Sequence, residues 1–227
     1  MIRENVIVAR DISKTYTIDS QVLKAVDNVS FSVDQGEMAS IIGHSGSGKT
    51  TLLSLIGGLT KPNSGEVLID GQNIWSMGDG VLSEFRNRKI SFIYQFASLI
   101  PTLTAIENIM LPMAFGSGSP ETEDYARELL GLVALKDKEN SLPAHLSGGQ
   151  QRRVAIARAF INKPEIVLAD EPTGDLDEET EGEVLSLFSK INKENSTTFV
   201  MVTHNNEIAA QAGKQFKMVN GVLTKLK

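Results

Sequence analysis

The stretch "MASIIGHSGSGKTTLLSLIGG" (residues 38–58) decides the fold of this chain. An apolar run over residues 38–42 ends at a glycine-rich loop, as a buried strand feeding a tight turn should. The loop runs into a helical pattern whose apolar positions are Leu52, Leu53, Leu55 and Ile56, and Gly57–Gly58 supplies the stop. Between them, "GHSGSGKT" (residues 43–50) has the G-x-x-x-x-G-K-[ST] spacing of a phosphate-binding loop. Its glycines let successive N–H groups converge on phosphate oxygens. The helix adds its positive N-terminal dipole. Lys49 then supplies a full charge to the β- and γ-phosphates, and the Thr50 hydroxyl a ligand for Mg²⁺.

Working outward, the chain alternates strand and helix. "NVSFSV" places Val29, Phe31 and Val33 on one face at period two. "SGEVLIDG" reads as a hairpin strand, and "ISFIY", "EIVLADE" and "TTFVMVTH" read as core strands. Asn220–Gly221 in "KMVNGVLT" is a strong hairpin turn. From about residue 104 to 146 the pattern is helical. Thr104 with Glu107 has capping-box spacing, "FGSGSP" (residues 115–120) breaks the run with Pro set for a helix start, and "ETEDYARELLGLVAL" resumes it. These elements predict a single α/β domain over residues 1–227, with a mostly parallel sheet covered on both faces and a helical subdomain inserted at about residues 96–146.

Composition bounds the function. The chain has 227 residues, enough for one substantial core plus a small insertion, and at 41% hydrophobic and 22% charged it reads as globular. A formal net charge of −6 argues against a protein that grips nucleic acid backbone. With no cysteine, neither disulfides nor Cys-based zinc sites are available. The four-residue apolar run near the start, Val6 to Ala9, is too short for a signal peptide. No apolar stretch approaches the roughly 20 residues of a bilayer span. If the protein works at a membrane, another component crosses it.

Other candidate site residues stand at strand ends, where α/β sheets present their ligands. Asp170 and Glu171 close the apolar strand "EIVLADE". A carboxylate at Asp170 can hold Mg²⁺, and Glu171, on the other side of the strand, can polarise an attacking water. Gln95 follows "ISFIY" and His204 follows "TTFVMVT". Gln95 could bond Mg²⁺ or the lytic water and His204 could donate to a γ-phosphate, although each taken singly reads as structural more readily than functional. Tyr16 could stack on a purine or sit as a half-buried surface tyrosine. "NKPE" (residues 162–165) resembles a guanine-reading motif, but it carries Glu where Asp is required and precedes the acidic strand, so a GTPase is disfavoured. "LSGGQQRRVAIARA" (residues 146–159) offers a second helix tip at Ser147–Gly148–Gly149, whose free N–H groups and dipole suit phosphate. Arg152, Arg153 and Arg158 are expected to add positive field there, unless they face solvent or pair with acids.

Taken in order, the phosphate loop, Gln95, "LSGGQ" with "QRRVAIARA", "LADEPTGDLD" and His204 resemble the motifs of the ATP-binding-cassette (ABC) ATPases, over essentially the whole chain. The stretches "GEMASIIGHSGSGKTTLLSLIGGLTKPNSGEV", "TLTAIENIMLPM" and "ADEPTGDLD" are similar to the subgroup of lipoprotein-releasing, macrolide-export (MacB-like) and cell-division (FtsE-like) ATPases. The resemblance implies a P-loop NTPase (RecA-like) fold with an N-terminal antiparallel β subdomain. It also implies a head-to-tail homodimer, in which each ATP, with Mg²⁺, lies between one copy's phosphate loop and the other's signature.

Position by position, it makes Tyr16 the adenine-stacking aromatic. Gly43, His44, Ser45, Gly46, Ser47, Gly48, Lys49, Thr50 and Thr51 become the Walker A loop and Gln95 the Q-loop. Ser147, Gly148, Gly149 and Gln150 become the signature. Asp170 becomes the Walker B acid and, with Thr50 and Gln95, a metal ligand; Glu171 becomes the catalytic base, Asp177 the interface acid and His204 the switch histidine. His44 replaces the usual proline and Arg152 the usual glutamine, and neither change removes an essential donor.

The expected function is thus the ATPase subunit of a bacterial transport or mechanotransmission complex. It would be peripheral on the cytoplasmic face of the inner membrane, driving an integral-membrane permease that docks near Gln95, on residues 96–108. The alternative, a soluble cassette acting on nucleic acid or ribosomes, usually needs tandem cassettes, coiled-coil arms or zinc modules, for which this chain has neither room nor cysteine.

Overall fold

A computed structural model describes residues 5–115, 122–174 and 176–227. The glycine-serine break read at residues 115–120 therefore lies outside the described residues after Phe115. In chain order the elements are β1 (Ile7–Ile18), β2 (Gln21–Val33), β3 (Met38–Ile42), α1 (Lys49–Ile56), β4 (Ser64–Ile69), β5 (Gln72–Asn73) and α2 (Asp79–Lys89). Then come β6 (Ile90–Ile93), α3 (Ala105–Met110), α4 (Thr122–Leu132), α5 (Gly148–Phe160), β7 (Ile166–Asp170) and α6 (Glu178–Asn195). The chain ends with β8 (Thr198–Thr203), α7 (Asn206–Ala210), β9 (Lys214–Val219) and β10 (Val222–Lys225).

These strands form two sheets. One, ordered β2-β1-β4-β5, is antiparallel. The other is ordered β10-β9-β3-β8-β7-β6 and is parallel throughout except for the closing β9–β10 hairpin. Its turn is the one the sequence marks: Asn220 and Gly221 both have positive φ, 48° and 82°, as a two-residue hairpin turn requires.

Side-chain alternation divides the interior into two cores. On β7, Ile166 and Leu168 face one side while Val167 and Ala169 face the other; on β8, Val200 and Val202 oppose Phe199 and Met201. The first set joins α1 and the antiparallel sheet, through residues such as Leu52, Ile56, Ile7 and Val67. The second joins α3, α4, α5 and α6, around Phe160, Phe188 and Phe199. A parallel strand buried on both faces reads as an unbroken apolar run, which is why "IVLA" and "FVMV" carry no polar residue.

The helical stretch is built on α5. Both α3 and α4 pack against it, and the capping box read at Thr104 and Glu107 is formed. The helix α5 is thus the common support of α3 and α4. The non-repetitive segment before α3 is fastened by Asn108, which is wholly buried. Its Oδ1 accepts from the Ile100 N–H at 2.7 Å and its Nδ2 donates to the Leu103 and Thr104 carbonyls, each at 2.9 Å. A buried backbone outside sheet or helix needs such side-chain partners.

Candidate active site

Parallel pairing brings the chemistry to one sheet edge. Because β3, β8, β7 and β6 all run the same way, the loop after β3, His204 after β8, Asp170 and Glu171 at the end of β7 and Gln95 after β6 emerge side by side. They line one cleft of roughly 470 Å³. Of the residues read from the sequence, Tyr16, Ser45, Gly46, Gly48, Lys49, Thr50, Thr51, Gln95, Asp170, Glu171 and His204 line it. Two further lining residues, Leu23 and Ala25 on β2, were not anticipated. Leu23 pairs across the sheet with Tyr16 and is about half exposed, an unusual place for leucine. That signal becomes readable only once the β1–β2 register is known.

The loop is shaped by contacts far away in sequence. Gly48 caps α1 in the left-handed region, with φ 105° and no side-chain cap. A Cβ there would lie 2.0 Å from the Ala25 carbonyl oxygen, so only glycine fits. The β9–β10 turn supports the loop from behind, the Gly221 N–H donating to the Ser47 carbonyl at 3.0 Å. Gly43 is equally close-set: a Cβ would meet the Met218 carbonyl at 2.4 Å. His44 and Ser45 are exposed at the rim, and Ser47 is buried with its hydroxyl unpartnered. Lys49, buried in its stem, donates to the Gly43 carbonyl at 2.7 Å and the His44 carbonyl at 3.1 Å. Its charge is thereby held over the loop.

Thr50 and Asp170 fit a Mg²⁺ ion bound with phosphate. The Thr50 hydroxyl donates to Asp170 Oδ2 at 2.7 Å, across a sequence gap of 120 residues. A hydroxyl and a carboxylate brought together beside a phosphate loop are the hard oxygen ligands this ion takes. Burial raises the Asp170 pKa above the usual carboxylate range, opposed by the Thr50 hydrogen bond. That burial also makes a cation beside it more favourable.

Glu171 carries φ 46°, left-handed for a non-glycine residue. Such a residue costs on the order of 1 kcal/mol or more and persists where its surroundings fix it. Its carboxylate is paired with His204, whose Nδ1 lies 3.0 Å from Oε1. This contact was not among the readings of His204 from the sequence. The ring also orients Glu171.

The second helix tip lies elsewhere. Ser147, Gly148, Gly149 and Gln150 do not line the cleft, and neither does Asp177. Nor are the tip's N–H groups all free, as the sequence suggested. A capping box is formed, Ser147 Oγ accepting from the Gln150 N–H at 3.2 Å and Gln150 Oε1 from the Ser147 N–H at 2.9 Å. The Gly148 and Gly149 N–H groups remain as orphans of the first turn. Asp177 caps α6, accepting from the Thr180 N–H at 2.9 Å, and that bond lowers its pKa.

The α5 arginines, expected to add field near this tip, face solvent or pair with acids, all donate to backbone carbonyls. Arg153 bonds Val133, Arg158 bonds Ala97 and Ser98, and Arg152 bonds Tyr94, Gln95, Glu171 and Pro172. A guanidinium in a polypeptide interior finds carbonyls whenever the chain leaves them unpaired.

Comparison with known proteins agrees with this geometry. A family profile described as ABC transporter matches residues 26–174. The dimeric structure of a post-hydrolysis state of the ATP-binding cassette MJ0796, bound to ADP and Pi, is 40% identical, covering 97% of this chain and 99% of that one, with a TM-score of 0.91. The dimeric structure of MJ0796 described as a bacterial ABC transporter cassette is 41% identical over the same shares, with a TM-score of 0.91.

Proposed function

The chain belongs to the ABC transporter family and is an ATPase cassette, and from that premise we propose that two copies close head to tail on ATP and drive a separate membrane permease. The observation that carries the reading is the single cleft in which Lys49, Thr50, Gln95, Asp170, Glu171 and His204 meet.

In it the roles divide by chemistry. The exposed face of Tyr16, backed by Leu23, takes the adenine. The loop N–H groups and Lys49 take the phosphates. Thr50, Asp170 and Gln95 would hold Mg²⁺, which would supply positive charge to offset that of the phosphates. Glu171 accepts a proton from a water as its oxygen attacks the γ-phosphorus, and the bond to the bridging oxygen breaks to release ADP. His204 holds the carboxylate in position.

At the tip Ser147 and Gly148 are exposed and Gly149 is half-buried, all outside the cleft, which supports a role toward the nucleotide of a second copy. The MJ0796 structures are dimers. Loss of the γ-phosphate would then remove what both copies hold, and the pair reopens.

No helix among the described residues is long and apolar enough to cross a membrane. A peripheral position on the cytoplasmic face of a bacterial inner membrane, beneath a permease of the MacB or lipoprotein-release type, fits the sequence resemblance. The helical stretch at about residues 96–146 carries the docking face in this reading. Among its described residues, Phe96 and Phe115 are the most exposed large apolar groups, at 71% and 77%, with Ile100 and Leu132 also exposed.

Replacing Glu171 by Gln tests the reading. Expected is a loss of at least about a hundredfold in ATP hydrolysis, with an ATP-dependent dimer retained in sedimentation. Hydrolysis at the native rate would remove Glu171 as the base.

A further inference from the structure

Gln95 and Glu171 close adjacent strands, β6 and β7, yet neither residue's carbonyl is held by sheet pairing. Both are held by one side chain. Arg152, on the flank of α5 and only 4% exposed, donates through Nη1 to the Tyr94 and Gln95 carbonyls, through Nη2 to the Glu171 carbonyl, and through Nε to the Pro172 carbonyl at 3.0 Å. The planar fork spans the ends of two strands at once, which a shorter amide on a two-carbon stem cannot do. Six residues further along α5, Arg158 bonds the Ala97 and Ser98 carbonyls, so the segment after β6 is tied to this helix along its length.

Glu171 is the residue that most needs such a hold. Its left-handed backbone is strained. Besides Arg152, its carbonyl accepts from the Gly174 N–H at 3.2 Å, and its own N–H donates to Val202 at 3.0 Å. A carboxylate that takes a proton from water is sensitive to displacements of about 1 Å, which can cost on the order of a hundredfold in rate.

We propose that Arg152 is the positioning residue for Glu171: it fixes the glutamate's left-handed turn and joins it to the Gln95 segment as one body, so that a displacement of residues 94–98 moves the general base. The inference rests on Glu171 being the base. It gives a use to an arginine that stands where the family resemblance expects glutamine.

The test is a cycle of R152Q and R152K in the native chain and R152Q in the E171Q background. Rates are divided by nucleotide-binding stoichiometry, so that unfolded chains do not count. Expected is a fall in kcat of about tenfold for R152Q, with KM for ATP within about twofold, because no phosphate contact is altered. R152K keeps the charge and loses the fork, and is expected to fall with R152Q. In the E171Q background R152Q should change the residual rate by less than about twofold, since two residues acting through one step do not add. The same factor lost in both backgrounds, or native kcat in either R152Q or R152K, overturns the proposal. Failure of the underlying reading shows separately, as E171Q hydrolysing at the native rate.

Discussion

Two glycine-rich turns in this chain each feed a helix, and the helices begin in opposite ways. At α1 the cap is Gly48, left-handed and without a side-chain bond. At α5 the cap is Ser147, in extended geometry, closed by a reciprocal box with Gln150. A helix tip has unpaired N–H groups by construction, but whether they are available to a ligand depends on the side chains beside them. The first tip keeps its donors and faces a cleft containing Lys49, Asp170 and Glu171. The second satisfies part of its own turn and faces outward. The same local chemistry thus yields a nucleotide cradle in one place and, in the proposed dimer, a surface offered to another copy's nucleotide.

The sharpest way to break the contrast is alanine at one glycine of each tip, the cap Gly48 and the first helical residue Gly148. Gly48→Ala drives a methyl group to within 2.0 Å of a backbone oxygen at a positive φ, and ATP affinity, read by fluorescent-nucleotide titration, is expected to fall by more than about a hundredfold. Gly148→Ala meets nothing within 4 Å. It should leave ATP affinity within twofold and the melting temperature unchanged or slightly raised, by at most about 1 kcal/mol of helix propensity. Hydrolysis is nonetheless expected to drop about tenfold, because the methyl group stands where a partner's γ-phosphate would approach. Native turnover in Gly148→Ala would remove the tip from the reaction.

A smaller effect probes the capping box alone. Ser147→Ala removes the bond to the Gln150 N–H, which typically costs about 1 kcal/mol, or about 2–4 °C in melting temperature for a chain of this size. No matching loss exists at α1, whose cap makes no side-chain bond to delete.

The smallest effect concerns the charge in the cradle. Burial holds the Asp170 pKa above its unfolded value. Its ionised form is therefore disfavoured in the folded protein, and this contribution is most favourable at acid pH, declining as pH rises through the raised pKa. Without nucleotide or Mg²⁺, Asp170→Asn should melt slightly higher than the native chain at pH 7, with the advantage shrinking toward pH 4. A constant difference across that range would show that Asp170 is not penalised by its burial.

Much of the cradle was legible in sequence because its residue types stand at a short, fixed spacing, although distant contacts shape the loop. Gly48 must be glycine, Lys49 and Thr50 must follow it, and Asp170 and Glu171 must close an apolar strand. The Thr104 and Asn220–Gly221 signals were readable for the same reason: caps and tight turns depend on a few neighbouring residues. What escaped were groups defined by a neighbour far along the chain. Leu23 enters the cleft only through its register with Tyr16. The α5 arginines, read as adding field to the helix tip, facing solvent or pairing with acids, bond carbonyls of segments 19 to 61 residues away.

The sequence by itself determined that the chain alternates strand and helix, that a phosphate loop begins one of those helices, and that acids, a glutamine and a histidine close the core strands. These follow from short-range sterics and period-two burial. Only the tertiary structure decided that those strands lie adjacent and parallel, so that their ends form one cleft, that the second helix tip lies outside it, and that one arginine grips two strand ends together. Strand order and the partners of a buried guanidinium depend on which distant surfaces bury each other, and no run of neighbouring residues contains that information.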